Sequence, residues 1–393
     1  MKMKNVLLLA ILLYIVSTGA AYATFSAIGS SKKADDAQNQ QKSDMQADQQ
    51  AQESEGLAID PNEAKDQVCP LDGQMYTKTE KDVWSTRRPL AVMIENHPEA
   101  RPQSGLIRAD IVFEALAEGG VTRFMGMFYC DVVRNDVTLA PVRSARDNYI
   151  DWASGFNRPL YVHVGGANLP GPVNALGHLG DYGWNGENDI NQFSVGYPTF
   201  VRNYNRIAGK DIATEHTMVS TSEKLWDVGV KREWTNLDPK GNDWSAGYKG
   251  WTFADAEEPG KGSVNTLSYE FWTGDSDYSV KWDYDKATNS YLRTMAGEPH
   301  KDLETGKQLA VKSVIVMNMK SKVVDELKHM LYNTTGTGTA VLFQNGEAIE
   351  LNWSKPKRES ELAFTDKKGK PVELVRGKMW ISVVDNTAGK VTY

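Results

Sequence analysis

The chain has 393 residues, 24% of them charged, and a formal net charge of −7. The stretch 32–66 carries −5 and the two leading lysines +2, leaving −4 for residues 67–393. A main body so close to neutral excludes nucleic acid as a partner on charge grounds, and its length suffices for two domains with real cores.

Lys2 and Lys4 precede an uncharged run over 6–31 whose first part, 6–16, is almost wholly aliphatic. This is a secretory start, either a cleaved signal peptide or a retained membrane anchor. Ala21, Tyr22 and Ala23 offer small residues at the spacing that favours cleavage; kept intact, the run exceeds the roughly 20 residues needed to span a bilayer. No cysteine follows the apolar core, so a lipid anchor is not supported. The expected place is outside the cytoplasmic membrane, at its outer face or in the wall. Residues 32–66, rich in Gln, Asp, Ala, Ser and Glu, read as a disordered acidic tether, because they have too little apolar surface to fold. The only cysteines, Cys69 and Cys130, are candidates for one disulfide in an exported protein, with free thiols the alternative.

A short apolar strand is expected over 90–94, ended by Glu95-Asn96-His97-Pro98, with Pro98 and Pro102 forcing a loop. The pattern over 110–117 predicts a strand, Gly119-Gly120 its turn and 121–130 the return, although 108–118 also fits one face of a helix. Strands follow at 137–142 and 160–164, with a helix over 145–156 between them. Ser220 and Glu223 form a capping-box pattern that opens another helix. Strands interleaved with helices make 67–235 an α/β layered domain. Residues 236–263 lack periodicity and read as an irregular interdomain region. Over 264–393 short strands alternate with turns, including a hairpin at Asn345-Gly346, so a mainly β domain is expected and the whole is α+β.

Between Lys81 and Lys210 there is no lysine but there are eleven arginines. Arginine differs from lysine where a planar charged fork must grip a carboxylate or phosphate, so the bias points either to an anion site or to internal ion pairs. The candidates cluster at predicted strand ends: Glu95, Asn96 and His97 with Arg101; Glu118 and Arg123 around the glycine turn; Arg143, Ser144 and Arg146 opening a helix; His163 before Gly165-Gly166. Ligands in layered α/β folds sit where strands end and helices begin. Ligand binding is therefore assigned to Arg101, Arg123, Arg143, Arg146, Asn96 and Ser144, with Asp110, Glu118, His97 and His163 as catalytic candidates. His97, His163, Glu114 and Glu118 form a weaker metal possibility, and Ser144 with His163 as base a weaker nucleophile. Seven of the eleven tryptophans fall between Trp184 and Trp282, interleaved with polar residues. They suit either sugar stacking or a core. The oxygen-rich run from Asp181 to Asp189 reads as a solvated loop or, more weakly, a Ca²⁺ site.

The runs RPLAVMIENH at 88–97, ARPQSGL at 100–106, ADIVFEALAEGGVTRF at 109–124, PVRSAR at 141–146 and YVHVGG at 161–166 resemble the YerB-like family. Residues 336–338, Trp353 and MWISV at 379–383 are similar to its second part. The resemblance covers most of 85–393 and implies an exported bacterial cell-envelope protein, often lipid-anchored, built on a two-part domain of unknown function. It implies no reaction. The order of strands and arginines is also similar in layout to the LytR-CpsA-Psr phosphotransferases. That likeness implies a polyprenyl-pyrophosphate held by Arg101, Arg123, Arg143 and Arg146, with Asp110 or Glu118 helping to hold Mg²⁺. Three readings follow: a binder of an anionic or glycan wall component, a metal-assisted transferase on a lipid-linked wall precursor, or a scaffold for a wall enzyme. The partner is a wall polymer or lipid-linked precursor, and the membrane itself if the leader is retained.

Overall fold

The structure, a computed structural model, describes residues 56–385 and 391–393. The leader and most of the tether fall outside them. Residues 56–66, expected to be disordered, belong instead to the folded body. The Leu57 N–H donates to the Arg134 carbonyl at 2.8 Å, and Lys65–Val68 pairs with Met75–Thr77. Their side chains are mostly exposed, so it is backbone pairing and not apolar burial that holds them.

A ten-stranded sheet organises the rest. Its strands in chain order are β1 (Leu90–Glu95), β2 (Ile111–Glu118), β3 (Val121–Phe128), β4 (Leu160–His163), β5 (Asp189–Asn191), β6 (Ser313–Asn318), β7 (Gly336–Gln344), β8 (Glu347–Lys355), β9 (Ala363–Thr365) and β10 (Met379–Val384). Their order in space is β9-β8-β7-β6-β10-β2-β3-β1-β4-β5. β10 lies parallel to both β6 and β2, and β1 parallel to β4, while β3 runs antiparallel between β2 and β1. β1 and β10 are buried along their whole length, as expected of strands covered on both faces. Within 108–118 the strand takes Ile111–Glu118, and only Arg108 is helical, closing the single turn Leu106–Arg108. Gly119-Gly120 and Asn345-Gly346 close two hairpins with positive φ throughout, which glycine and asparagine adopt most easily.

Helices are short, and the one over Ser222–Lys231 shows why sequence signals slip by a residue. Its cap is Thr221, whose side chain accepts from Lys224 N, because the Ser220 hydroxyl is already donating to the Thr199 carbonyl. Leu225 and Trp226 on its inner face are buried. A second, antiparallel sheet built on Thr266–Tyr269, Val280–Asp285 and Ser290–Met295 packs on the large one, with Trp282 edge-on to Trp380 at 5.5 Å.

The two stretches expected as domains, 67–235 and 264–393, pack against each other. Residues 56–393 form one compact unit, and β10 from the end of the chain sits against β2 from its first third. Across this junction runs a fully buried ion pair. Arg293 Nη2 meets Glu114 Oε2 at 2.7 Å, Trp380 Nε1 donates to the same oxygen, and Thr122 Oγ1 donates to Oε1. The guanidinium lies over the Trp380 ring at 4.4 Å and near Trp282. Removing one partner strands the other charge in the core, so Glu114→Gln is expected to cost about 3–5 kcal/mol. Urea unfolding, followed by tryptophan fluorescence and circular dichroism together, should show that loss in a single transition common to both probes.

Candidate functional site

β1, β2, β4 and β5 all run the same way, so Glu95, Glu118, His163 and Asn191 emerge at one edge of the sheet. The start of β3 brings Arg123 to the same edge, and the loop before the helix Asp147–Ala153 brings Arg143, Ser144 and Arg146. Four of the nine neighbouring pairs in this sheet are parallel, and ligands of open α/β sheets bind at the carboxyl ends of such strands.

The charges there are largely spent on one another. Arg123, fully buried, reaches Glu118 Oε1 at 2.7 Å and donates to the Ser144 carbonyl at 3.2 Å. Arg146 Nε pairs with the other Glu118 oxygen at 2.8 Å. Arg143 Nε pairs with Glu95, whose second oxygen accepts from the Asn96 and His97 amides. Burial alone would raise the Glu95 carboxyl, but His216, Arg123 and Arg143 facing it outweigh burial and hold it well below the ordinary range. Glu118 is held low in the same way: against burial, by Arg123 and Arg146.

Two concavities open on this network. One, of about 310 Å³, is lined by Glu95, His97, Glu99, Arg123, Arg143 and His216 among others. The other is a groove of about 650 Å³ bordered by Arg143, Ser144, the Gly165-Gly166 backbone, Asn191, Phe193 and Arg202. Arg143 and Glu215 line both, so the two adjoin. Phe193 is 75% exposed and leans over Gly165, where any side chain would meet its ring: a Cβ there would lie 2.9 Å from it.

The sequence candidates separate accordingly. Glu118, Arg123, Arg143, Arg146, Ser144 and His97 come together. Asn96 is buried beside them but donates to Thr122 and accepts from Arg101 and Gln103, so it is framework. Arg101 is not free for a ligand either: it donates to Asn96 and the Asp277 carbonyl and lies over the Tyr278 ring, tying the first loop to the second half of the chain. His163 is buried with both ring nitrogens engaged, by the Gly165 carbonyl at 2.6 Å and Asp189 at 2.5 Å, so it cannot serve Ser144 as a base. Those contacts also commit one oxygen of Asp189, and Asn188 donates to the Pro159 carbonyl through its amide nitrogen. Asp110 is at the wrong end. It precedes β2, about 26 Å from Glu118 at the usual rise per strand residue, and accepts the amides of Tyr129, Cys130 and Asp131. It therefore cannot hold a divalent ion beside the arginines, which leaves Glu118 of the two acids named for that role. Beside it Cys69 and Cys130 form the expected disulfide, with Cα atoms 6.1 Å apart.

Most of the tryptophans are core and offer no sugar platform. Trp184, Trp226, Trp234, Trp244 and Trp282 are buried, and the N–H groups of Trp226, Trp234, Trp244 and Trp282 reach internal acceptors; Trp272 is the exposed one among the seven. The residues that sequence reasoning passed over are His216, Glu215, Arg202 and Phe193. They arrive from elements too short to show periodicity, Phe193 on Gln192–Val195, Arg202 on Val201–Arg202 and the other two on Thr214–His216, and only the arginine bias and the aromatics of the 193–204 stretch carried any signal.

A mixed α+β fold with an arginine-lined edge defines the class, and comparison with known sequences gives its family. The profile of the N-terminal domain of a protein of unknown function (DUF3048) matches residues 73–234, and that of its C-terminal domain matches 268–381. The chain is 31% identical to YerB of Bacillus subtilis, named as a candidate lipoprotein, over 82% of this chain and 88% of that protein. The crystal structure of YerB from Bacillus subtilis superposes with a TM-score of 0.66 at 27% identity, covering 83% of this chain and 100% of that one. The chain belongs to the YerB-like, DUF3048 family.

The carboxyls at the opposite end give a pH signature. Burial foremost, with Asp131 nearby, pushes Asp72 up to about 7, and burial with Asp72 and Asp131 raises Asp110. A carboxyl raised in the folded state stabilises fully below its unfolded value, near 4, and loses that contribution as pH rises to about 7. Thermal stability should therefore fall between about pH 4 and 7, and Asp72→Asn should flatten that slope; a slope unchanged by the substitution would assign it to other groups.

Proposed function

We propose that this is an exported cell-envelope protein whose groove beside Arg143 binds an anionic wall glycan. The secretory start of the sequence and the lipoprotein name of its Bacillus relative support the location. Cys69 and Cys130 are joined to each other, so neither is available to carry a lipid.

The observation that carries the binding reading is the lining of the groove. Arg143 keeps a quarter of its side chain exposed and, with Arg202, sets two guanidiniums around one concavity. Such forks hold phosphate or carboxylate through paired hydrogen bonds. Phe193 presents an apolar ring, and Asn168, Asn191 and Ser144 add amide and hydroxyl groups. Ring stacking beside polar edges suits a sugar face. The arginine site is thus narrower than the sequence candidates imply: Arg143 and Arg202 border the groove, Arg202 with one nitrogen already donating to the Thr214 carbonyl and the Thr217 hydroxyl, while Arg101, Arg123 and Arg146 hold the frame.

The test is binding of the purified protein to a sugar-phosphate or polyol-phosphate wall polymer, against a neutral glycan of matched length. Arg143→Lys, Arg202→Lys and Phe193→Ala should each weaken binding to the anionic polymer by about tenfold, or about 1.4 kcal/mol. Arg87→Lys, which alters the distant pair with Glu223, should bind as the parent does. Equal binding by parent and groove variants would remove the groove from the function. Absence of any binding would favour a scaffold that meets a protein partner.

A further inference from the structure

The smaller concavity holds a set of side chains that the groove reading does not use. His97 follows β1, and His216 ends the short helix Thr214–His216. Their rings stack with centroids 4.9 Å apart and planes inclined by 13°. Glu99, on the turn after His97, brings its carboxylate to the same place. One ligand atom from each of His97, Glu99 and His216 can be chosen so that all three lie within 4.8 Å of one another.

The two nitrogens of His216 are placed unequally. Nε2 lies 3.9 Å from Glu99 Oε2, beyond a hydrogen bond. Two ligands of one tetrahedral ion, each with a bond of about 2.0–2.1 Å, sit about 3.3 Å apart, so a small inward shift would seat both. Nδ1 faces Glu95 Oε2 at 3.6 Å and has no hydrogen-bond partner, although His216 is only 4% exposed. A buried imidazole with one nitrogen toward a cavity carboxylate and the other toward an inner carboxylate has the layout of a metal ligand backed by an orienting acid. Glu95 is itself fixed by the Asn96 and His97 amides and by Arg143.

From this geometry we propose that His97, Glu99 and His216 bind one divalent transition-metal ion of the zinc class, with Glu95 orienting His216. Two imidazoles and one carboxylate favour such an ion over Mg²⁺ or Ca²⁺, which take oxygen ligands. Three protein ligands at the wall of a cavity leave a fourth position open. That position faces the cavity which adjoins the groove through Arg143 and Glu215. The ion would therefore sit beside the anionic ligand, but its binding does not depend on that ligand.

The test is calorimetric titration of the purified, chelator-treated protein with Zn²⁺ and separately with Mg²⁺, at about pH 7.5, where free imidazole is mostly neutral. One Zn²⁺ site and no Mg²⁺ site are expected. Glu99→Gln, at an exposed side chain, and His97→Gln should each weaken Zn²⁺ by at least about tenfold while circular dichroism stays that of the parent. Co²⁺ in place of Zn²⁺ should give visible absorption that His97→Gln removes. A parent that binds no Zn²⁺, or one whose binding neither variant weakens, would overturn the proposal.

Discussion

The pair between Glu114 and Arg293 holds the two halves of this chain to a single geometry. Both side chains are completely buried, and they come from positions 179 residues apart. In so deep an ion pair the carboxylate has further hydrogen-bond donors, while the guanidinium, whose Nε and Nη1 have no hydrogen-bond partner, rests against aromatic rings. Glu114 accepts from Trp380 and Thr122, and Arg293 lies among the faces of Trp380, Trp282 and Phe124. Its effect is one of register: β2, β3 and the second sheet can meet only where both charges are satisfied. Thr122 passes the constraint on to Asn96, which donates to it and accepts from Arg101 and Gln103. The loop that carries His97 and Glu99 is thereby tied to the core.

The absence of lysine over 82–209 has a matching explanation. Arg88 donates to the carbonyls of Thr235, Asn157, Arg158 and Asn236, Arg87 makes a two-pronged contact with Glu223, and Arg206 caps the carbonyls of Pro102 and Ala100. Each of these uses several N–H groups of one planar fork, which an ammonium on a flexible stem could not match. Most of the arginines are thus fasteners between segments distant in sequence. Arg143 and Arg202 differ in bordering the groove as well, and each does both jobs, Arg143 holding Glu95 and Arg202 the Thr214 carbonyl and Thr217 hydroxyl.

The strands of the first half were legible because their apolar runs end at proline, glycine or charged residues, and the hairpin at Asn345-Gly346 because its turn residues announce it. The placement of β10 between β6 and β2 was not legible. Parallel neighbours share no turn, so nothing local to 379–384 names Ile111 as a partner of Met379. The edge bearing Glu118, Arg123, Arg143 and Arg146 was recognisable from strand ends alone. Asp110 was misplaced because a strand has two ends and sequence gives no sign of which one faces the ligand. His216 escaped notice because it reaches His97 from a single helical turn 119 residues further along, by tertiary packing. The tryptophans misled for a physical reason as well: an indole in a polar, glycine-rich stretch can be buried if its N–H finds an acceptor, and Trp234 and Trp244 do.

The proposed binding has a location, the groove beside Arg143, and hydrogen exchange tests a location most directly. The protein would be compared with and without an anionic wall polymer, amide by amide. New protection should appear at Gly165, Gly166, Asn191 and Phe193, where backbone and ring border the groove. Protection confined to the separate cavity of about 610 Å³ around Lys249, Trp251 and Glu361, or no change anywhere, would contradict it.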